Sequence, residues 1–269
     1  MLRESRPMLG RNFAIALLLA VALVGCGGDD APAGIRVRDY TVHSKAVDRD
    51  MAVKVVVPDG GRTRPLLVFL HGRGGDEGSY VHGPFLKALK ALGSRAPIVA
   101  FPDGAEDKYW HNRASGDWGR YVMREVIPQV AAKYSADRHR VAIGGISMGG
   151  FGAFDLARLH PRRFCAVGGH SPALWRTGGE TAPGAFDDTA DFARHDVIAS
   201  ARRLTRLPVW LDAGDADPFR PGDDAFAANL RAAGAHASIH RWPGGHDGDY
   251  WNAHWGDYLR FYARALKRC

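Results

Sequence analysis

Cysteine is scarce in this sequence, with three residues in a chain of 269. A disulfide-rich scaffold is therefore excluded. The twelve histidines show no ligand-like spacing with cysteine or with a carboxylate, so the sequence predicts no metal site. The glycine-rich stretch HGRGGDEGS lacks the Lys-Ser/Thr ending of a phosphate-binding loop, and we expect no cofactor.

Clustered basic charge and long apolar runs are also missing. The formal net charge is +7, but lysine and arginine form no run interleaved with aromatic residues, so we expect no nucleic-acid partner. The apolar run from Phe13 to Val24 has 12 residues. A membrane-spanning helix needs roughly 20, so this run is too short to span a bilayer.

The apolar run has the surroundings of an export signal. Arg3, Arg6 and Arg11 precede it, and it ends in LVGC, which resembles the lipobox of bacterial lipoprotein signals. We therefore expect residues 1–25 to be a lipoprotein signal peptide and Cys26 to carry lipid. That lipid would be the only membrane attachment and would hold the protein in the cell envelope. An ordinary cleaved signal with secretion, or an uncleaved anchor, is the alternative.

The rest of the chain has the pattern of one α/β domain. Residues 26–34 read as a flexible spacer, and residues 35–269 are long enough for one catalytic domain. The runs IRVRDYTVHS and DMAVKVVVPDG predict an antiparallel N-terminal hairpin. Strand-like and helical runs then alternate, and the nearly continuous apolar strands need helices on both faces. This predicts a mostly parallel central sheet, with any ligand at the carboxyl ends of its strands.

A serine stands between glycines where an apolar run gives way to a helical pattern, in AIGGISMGGFGAFDLARLHP. Residues 145–149 fit G-x-S-x-G, a sharp strand-to-helix turn that exposes a strained serine hydroxyl. A side chain at Gly145 or Gly149 would collide with its neighbours in so tight a turn. A lone match is weak evidence. The strand before the motif and the helix after it favour Ser147 as a nucleophile.

A serine nucleophile needs a base, and in this fold the chain order is Ser, then Asp or Glu, then His. The histidines beyond a suitable acid are His236, His240, His246 and His254. Only His246 lies in a glycine-rich loop after the last predicted strand, in PGGHDGDYW. The sequence therefore predicts His246 as the general base.

The acid of the triad comes from the segment WLDAGDADPF, which contains Asp212, Asp215 and Asp217. Asp212 lies in or at the end of a strand and can face a neighbouring loop, while Asp215 can cap a turn. We favour Asp217, and Asp215 stays open as the alternative.

An oxyanion hole requires the N–H after the nucleophile and a second N–H from the loop after an earlier strand. Met148 supplies the first. The loop in FLHGRGGDEGS supplies the second, through Arg73 or alternatively Gly74. We expect the imidazole of His71 to be a structural hydrogen-bonding group.

An aromatic-rich insertion, DKYWHNRASGDWGRY, follows one of the predicted strands. Its Trp110, His111 and Trp118 are candidates to stack on a sugar or phenolic ring of the substrate, and packing in the core is the alternative reading. Another open point is Cys165, which lies in the apolar run FCAVGG and is expected to pack as a small hydrophobic residue. The sequence leaves open whether it pairs with Cys269.

These motifs resemble the esterase D family of α/β-hydrolases, which holds S-formylglutathione hydrolases, feruloyl and acetylxylan esterases and mycolyltransferases. The resemblance rests on LLVFLHGRGGDE, FPDG, GISMGGFGAFDLARLHPRRFCAVGGHSPAL, LDAGDADPF and GGHDGDYW. It implies the α/β-hydrolase fold and maps the family's triad onto Ser147, Asp217 and His246, which supports Asp217 over Asp215. Many relatives carry an aromatic residue two places after the histidine, where this chain has Gly248.

The resemblance implies ester hydrolysis through an acyl-enzyme. We expect an exported serine carboxylesterase whose substrate is a small-molecule or carbohydrate ester, such as a feruloylated or acetylated saccharide. An acyltransferase, a thioesterase or a peptidase would use the same triad. A catalytically silent carbohydrate-binding protein of the same fold is the remaining alternative, and the retention of all three triad residue types argues against it.

Overall fold

The computed structural model describes residues 31–61 and 63–269. The expected signal peptide and Cys26 lie outside the described residues, as does most of the expected spacer, and these assignments stay predictions. The central sheet has eight strands: β1 (Ile35–Ser44), β2 (Arg49–Pro58), β3 (Arg64–Leu70), β4 (Ile98–Pro102), β7 (Ala136–Ile146), β8 (Ala166–His170), β9 (Val209–Gly214) and β10 (Ala237–Trp242). A separate two-stranded sheet pairs β5 (Asn112–Arg113) with β6 (Gly116–Asp117).

The strand order in the central sheet is β1-β2-β4-β3-β7-β8-β9-β10. β1 pairs with β2 and β2 with β4 in antiparallel fashion, and every later neighbouring pair is parallel. Strands β3, β4, β8 and β9 are almost wholly buried, as strands covered on both faces must be. The predicted α/β-hydrolase fold, with an antiparallel N-terminal hairpin on a mostly parallel sheet, is confirmed.

Helices cover both faces of the sheet. They are α1 (Gly83–Ala91), α2 (Trp118–Arg120), α3 (Ile127–Lys133), α4 (Met148–Leu159), α5 (Thr189–Arg194), α6 (Arg220–Ala232) and α7 (Gly248–Arg268), with a π-helical turn over Tyr121–Val126 and 3₁₀ turns over Gly93–Arg95, Gly178–Glu180 and Ala201–Leu204. Apolar residues of α1 and α7 form one core cluster, and those of α3, α4 and α6 form the other. Among the described residues, no helix is both long and apolar enough to cross a membrane.

The last helix is anchored at both ends. At its start the side chain of Asp247 accepts a hydrogen bond from the N–H of Tyr250, which satisfies one of the free donors of the first turn. At its end a disulfide joins Cys269 to Cys165, just before β8. The bridge spans 104 positions of sequence, and closing so long a loop stabilises a fold by about 2–4 kcal/mol. The pairing that the sequence left open is thus formed, and it ties α7 to the sheet.

One buried carboxyl group of the fold lacks a hydrogen-bond partner among the described residues. Asp223 lies in α6, its side chain is inaccessible to solvent, and neither carboxyl oxygen accepts a hydrogen bond. Burial, with the charge of Asp217 as a smaller contribution, raises the pKa of Asp223 well above its usual 3.8. The folded protein therefore holds this proton at pH values at which the unfolded chain has lost it.

This retained proton makes stability depend on pH. The folded state binds more protons than the unfolded state above the usual pKa, so the group's contribution to stability falls as the pH rises toward the folded-state pKa. We expect Asp223→Asn to raise the melting temperature at pH 8 and to change it little near pH 4. Each kcal/mol gained in the free energy of unfolding corresponds to a rise of about 2–4 °C. Circular dichroism during heating measures both. Asp224→Asn, at an exposed neighbour, is the control, and an equal shift of Asp223→Asn at both pH values would contradict the assignment.

Candidate active site

Ser147 stands in a strained turn between β7 and α4. Its backbone has φ 56° and ψ −118°, in the left-handed half of φ that non-glycine residues rarely adopt. A Cβ at Gly145 would lie 2.4 Å from the carbonyl carbon of Gly149, and one at Gly149 would lie 2.0 Å from the carbonyl oxygen of Leu70. The turn therefore admits only glycine at these two positions, and it holds the hydroxyl clear of the sheet.

The loops after β9 and β10 bring Asp217 and His246 to this hydroxyl. The Nε2 atom of His246 lies 2.9 Å from Oγ of Ser147, and its Nδ1 atom lies 2.9 Å from Oδ2 of Asp217. The other carboxylate oxygen of Asp217 accepts the N–H of Phe219 at 2.8 Å. The three side chains thus form one hydrogen-bonded series, in which the imidazole joins the hydroxyl to a carboxylate.

The electrostatic setting keeps that carboxylate charged. Burial of Asp217 acts to raise its pKa, but the hydrogen bond and charge interaction with His246 and the bond from the N–H of Phe219 act in the opposite direction, and the pKa lies below its usual value. An ionised Asp217 accepts the proton on Nδ1. This leaves Nε2 of His246 free to accept the proton of the serine hydroxyl.

The loop after β3 packs directly against the turn that carries Ser147. A Cβ at Gly72 would lie 3.3 Å from the Cβ of Ser147, so only glycine lets the loop approach this closely without crowding. The N–H of Gly74 is engaged with the carbonyl oxygen of Glu106 at 2.8 Å. In the part of the chain that the structure describes, the N–H of Arg73 donates no hydrogen bond. Met148 is the first residue of α4, where an N–H has no acceptor within the helix.

Residues 44–261 of the chain match the family model described as "Putative esterase". The chain belongs to this esterase family. The resemblance to esterase D-type α/β-hydrolases is confirmed.

Individual esterase relatives and solved structures agree with this membership. The chain is 27% identical over 250 residues to "Esterase Rv1288" of Mycobacterium tuberculosis, covering 77% of this chain and 55% of that protein, so it spans about half the length of that relative. It is 27% identical over 305 residues to "Diacylglycerol acyltransferase/mycolyltransferase Ag85A" of Mycobacterium ulcerans, covering 92% and 88% of the two chains. A solved ferulic acid esterase superposes with a TM-score of 0.76 at 22% identity, covering 86% and 98%, which shows a shared fold.

The two other aspartates of the segment WLDAGDADPF lie elsewhere. Asp215 is exposed, and its carboxylate accepts the N–H of Gly244 at 3.1 Å, so it supports the loop that carries His246. Asp212 is buried and accepts four side-chain donors, on Trp210, His170, Tyr250 and Tyr258. Neither carboxylate makes a hydrogen bond to His246. This leaves Asp217 as the carboxylate on the imidazole.

The hydrogen-bond network of Asp212 was not predicted from the sequence. It supports the turn that carries Ser147. Its two tyrosines come from α7, and its histidine ends β8. The backbone oxygen of that same His170 accepts the N–H of Ser147 at 3.0 Å. The helix, two strand ends and the serine turn are thus tied together. The signal in the sequence was the spacing of Tyr250 and Tyr258, which places both on one face of the helix.

The expectation that Trp110, His111 and Trp118 contact substrate is wrong. Their exposed fractions are 0%, 1% and 0%, so no substrate ring can reach them. A Cβ at Gly104 or Gly152 would lie within 2.4 Å of the Trp110 side chain, and the Nε1 atom of Trp110 donates to the carbonyl oxygen of His71. The insertion folds inward and fills the core beside α4. The imidazole of His71 is itself structural, as expected, because its Nε2 accepts the N–H of Gly104 at 2.9 Å.

Other aromatic rings lie next to His246. The ring centroids of Phe219 and Trp251 are 5.0 and 5.2 Å from that of His246, and Trp175 lies 5.7 Å from Phe219. Phe219 and Trp251 are only partly buried. Their signal was present in the sequence, because each belongs to the short motif that carries Asp217 or His246. Gly248, where many relatives have an aromatic residue, is the exposed first residue of α7.

Proposed function

We propose that this chain is a serine carboxylesterase in which Ser147 is the nucleophile, His246 the general base and Asp217 the acid. The observation that carries the proposal is the pair of 2.9 Å contacts of the His246 imidazole, one to the serine hydroxyl and one to the carboxylate. A hydroxyl alone is a poor nucleophile at neutral pH. An adjacent base, oriented by a third group, makes it reactive.

The chemistry follows from these contacts. Oγ of Ser147 attacks the ester carbonyl carbon while its proton passes to Nε2 of His246, and Asp217 stabilises the resulting imidazolium. The carbonyl oxygen becomes an oxyanion, for which the N–H groups of Met148 and Arg73 are the proposed donors. Cleavage of the C–O bond releases the alcohol, which takes the proton from His246. Water, deprotonated by the same imidazole, then attacks the acyl carbon. The bond from this carbon to Oγ of Ser147 breaks, Oγ takes the proton back from His246, and the carboxylic acid leaves.

For the substrate we propose a feruloyl or acetyl ester of a carbohydrate. Phe219 and Trp251 support this choice, because aromatic rings beside the base can stack on a phenolic acyl group or on a sugar face. The fold shared with a ferulic acid esterase is in keeping with it. Transfer to an alcohol instead of water is the second candidate, favoured by the similarity to the mycolyltransferase along 92% of this chain.

A substrate panel tests the proposal. The purified protein is assayed with p-nitrophenyl acetate, a long-chain p-nitrophenyl ester, methyl ferulate, acetylated xylan and a peptide anilide. We expect hydrolysis of the acetyl and feruloyl esters, a slower reaction with the long-chain ester and no measurable cleavage of the anilide. Adding a sugar alcohol as acceptor separates the two candidates, since an acyltransferase forms a new ester. A protein that cleaves the anilide faster than the esters would overturn the assignment.

We also propose that the protein acts outside the cytoplasm, attached through a lipid on Cys26. The support is the signal-like N-terminal sequence together with the Cys165–Cys269 bridge, because such bridges persist in oxidising compartments. Fractionation of cells that express the full chain, with Cys26→Ser as the comparison, tests this location. Membrane attachment that survives the substitution would exclude the lipid anchor.

A further inference from the structure

A second group of ionisable side chains comes together around α5, and none of its members makes a hydrogen bond to the triad. His111 Nε2 lies 3.1 Å from one carboxylate oxygen of Asp191, and His195 Nε2 lies 3.7 Å from the other. The ligand-type atoms of the three residues all lie within 4.8 Å of one another. The side chains of His111 and Asp191 are fully buried, and that of His195 is 11% exposed.

The remaining ring nitrogens of both histidines face groups that only accept hydrogen bonds. Nδ1 of His111 lies 3.3 Å from the carbonyl oxygen of Tyr109, and Nδ1 of His195 lies 2.9 Å from the carboxylate of Asp155. When each Nδ1 carries the proton, both Nε2 lone pairs face the Asp191 carboxylate. This is the arrangement that metal-binding histidines adopt, with the outer nitrogen donating to a carbonyl or carboxylate.

In that tautomer two lone pairs face a carboxylate whose present partners are the N–H of Asp187 at 2.9 Å and the guanidinium of Arg194 at 3.1 Å, and a positive charge held between the three side chains removes the repulsion. Protonating both imidazoles would supply it, but their ring centroids are only 4.4 Å apart, and two buried like charges at that distance repel each other. A single divalent cation resolves the arrangement without this repulsion. Asp155 is neutralised separately by Arg158, which donates to its other oxygen from two nitrogens.

The distances suit a small tetrahedral ion. Ligand atoms at about 2.0–2.1 Å from zinc in tetrahedral geometry lie about 3.3 Å apart, and the two contacts to Asp191 are 3.1 and 3.7 Å. The ligand atoms of the three residues lie at most 4.8 Å apart. To reach the separation of about 3.3 Å, the two imidazoles would move closer by at most about 1.5 Å. Arg194, which contacts Asp191 at 3.1 Å, has a side chain that is 62% exposed and can move outward.

Solvent reaches the group from one side. His111, Asp155 and His195 line a surface cavity of about 480 Å³ together with Asn112 and His160. We propose that Nε2 of His111, Nε2 of His195 and the carboxylate of Asp191 bind a zinc ion, with a water molecule from this cavity as the fourth ligand. The sequence-based expectation of no metal ligands overlooked the spacing of Asp191 and His195, which are four residues apart on one helical face.

The proposed ion joins the inward-folded insertion to α5. His111 adjoins Tyr109, whose ring lies 5.5 Å from Trp175 and 5.9 Å from Phe151 in α4, the helix that begins after the nucleophile. Zinc at this point would hold that aromatic wall in place without touching the reacting atoms. The ion would thus act on the packing of the insertion, and the site is independent of the proposed ester hydrolysis.

Metal titration of the purified full chain tests the site. The protein is stripped with a chelator and then titrated with Zn²⁺ by calorimetry and with Co²⁺ by visible absorption, which reports tetrahedral coordination. We expect one ion per chain and a higher melting temperature when it is bound. His195→Gln should weaken binding by at least about 100-fold and abolish the Co²⁺ spectrum, and Asp155→Asn should weaken it by about 10- to 100-fold.

His160→Gln is the matched control, because His160 lines the same cavity from an exposed position and is not a proposed ligand. It should bind Zn²⁺ as the parent does. His195 is the least buried of the three ligands, so His195→Gln is the variant best able to fold, and its circular dichroism spectrum checks this. The proposal is overturned if the parent binds no ion or if His195→Gln binds it equally well. Ester hydrolysis by such a protein would leave the proposed catalytic function standing.

Discussion

Replacing Ser147 by alanine is expected to lower kcat for p-nitrophenyl acetate by about four orders of magnitude or more. The imidazole of His246 then has no hydroxyl to deprotonate, and the acyl-enzyme cannot form. The fold should be retained, since alanine meets the same strained backbone at φ 56° and loses only the hydroxyl. Steady-state rates and the circular dichroism spectrum of the variant measure these two expectations.

The comparison for this variant is Ser238→Ala, which removes an exposed hydroxyl on β10 and should keep the parent's rate. Treatment of the parent with a serine-reactive fluorophosphonate should add a single adduct, found by mass spectrometry on the peptide that contains Ser147. Residual activity of Ser147→Ala within tenfold of the parent would exclude the proposed mechanism. So would an adduct at another serine.

The second large effect is expected at the acid. Asp217→Asn should reduce kcat by about 10⁴-fold, because an amide in place of the carboxylate can donate to Nδ1 of His246 and favours the wrong tautomer. Asp215→Asn should cost tenfold or less, since Asp215 only supports the backbone of Gly244. Initial rates of both variants with the same ester measure the difference.

These two variants also decide between the acids that the sequence alone left open. The substitutions are chemically identical and lie two positions apart, so a general effect on the loop after β9 would appear in both. Melting temperatures near that of the parent show that each variant is folded. A larger loss for Asp215→Asn than for Asp217→Asn would contradict the assignment that the hydrogen-bond geometry supports.

Much of the fold was predictable because its signals are local. The nearly continuous apolar strands, such as LLVFL in β3, require cover on both faces, and helical runs between them supply it. Part of the serine turn is also local, because Gly145 is demanded by its contact with Gly149, four positions away. Such short-range steric demands leave a readable pattern in the chain.

The orientation of the aromatic insertion could not be predicted from local patterns. Its composition suits a binding surface or a core equally well, and the direction of Trp110 and Trp118 depends on partners far along the chain. Gly152 in α4 is one such partner, because it leaves the space that the Trp110 side chain fills. The pairing of Cys165 with Cys269 could not be predicted for the same reason. Only the packing of α7 against the sheet brings Cys269 to Cys165, just before β8.

The sequence by itself determined the fold class and the serine turn, because strand and helix periodicity and turn sterics act over a few residues. Only the tertiary structure decided which carboxylate meets His246 and that His111 lies against Asp191 and His195. These contacts join residues 29 to 99 positions apart around the triad and 80 positions apart around α5. Their distances are set by how the strands and helices pack, which no short pattern in the chain encodes.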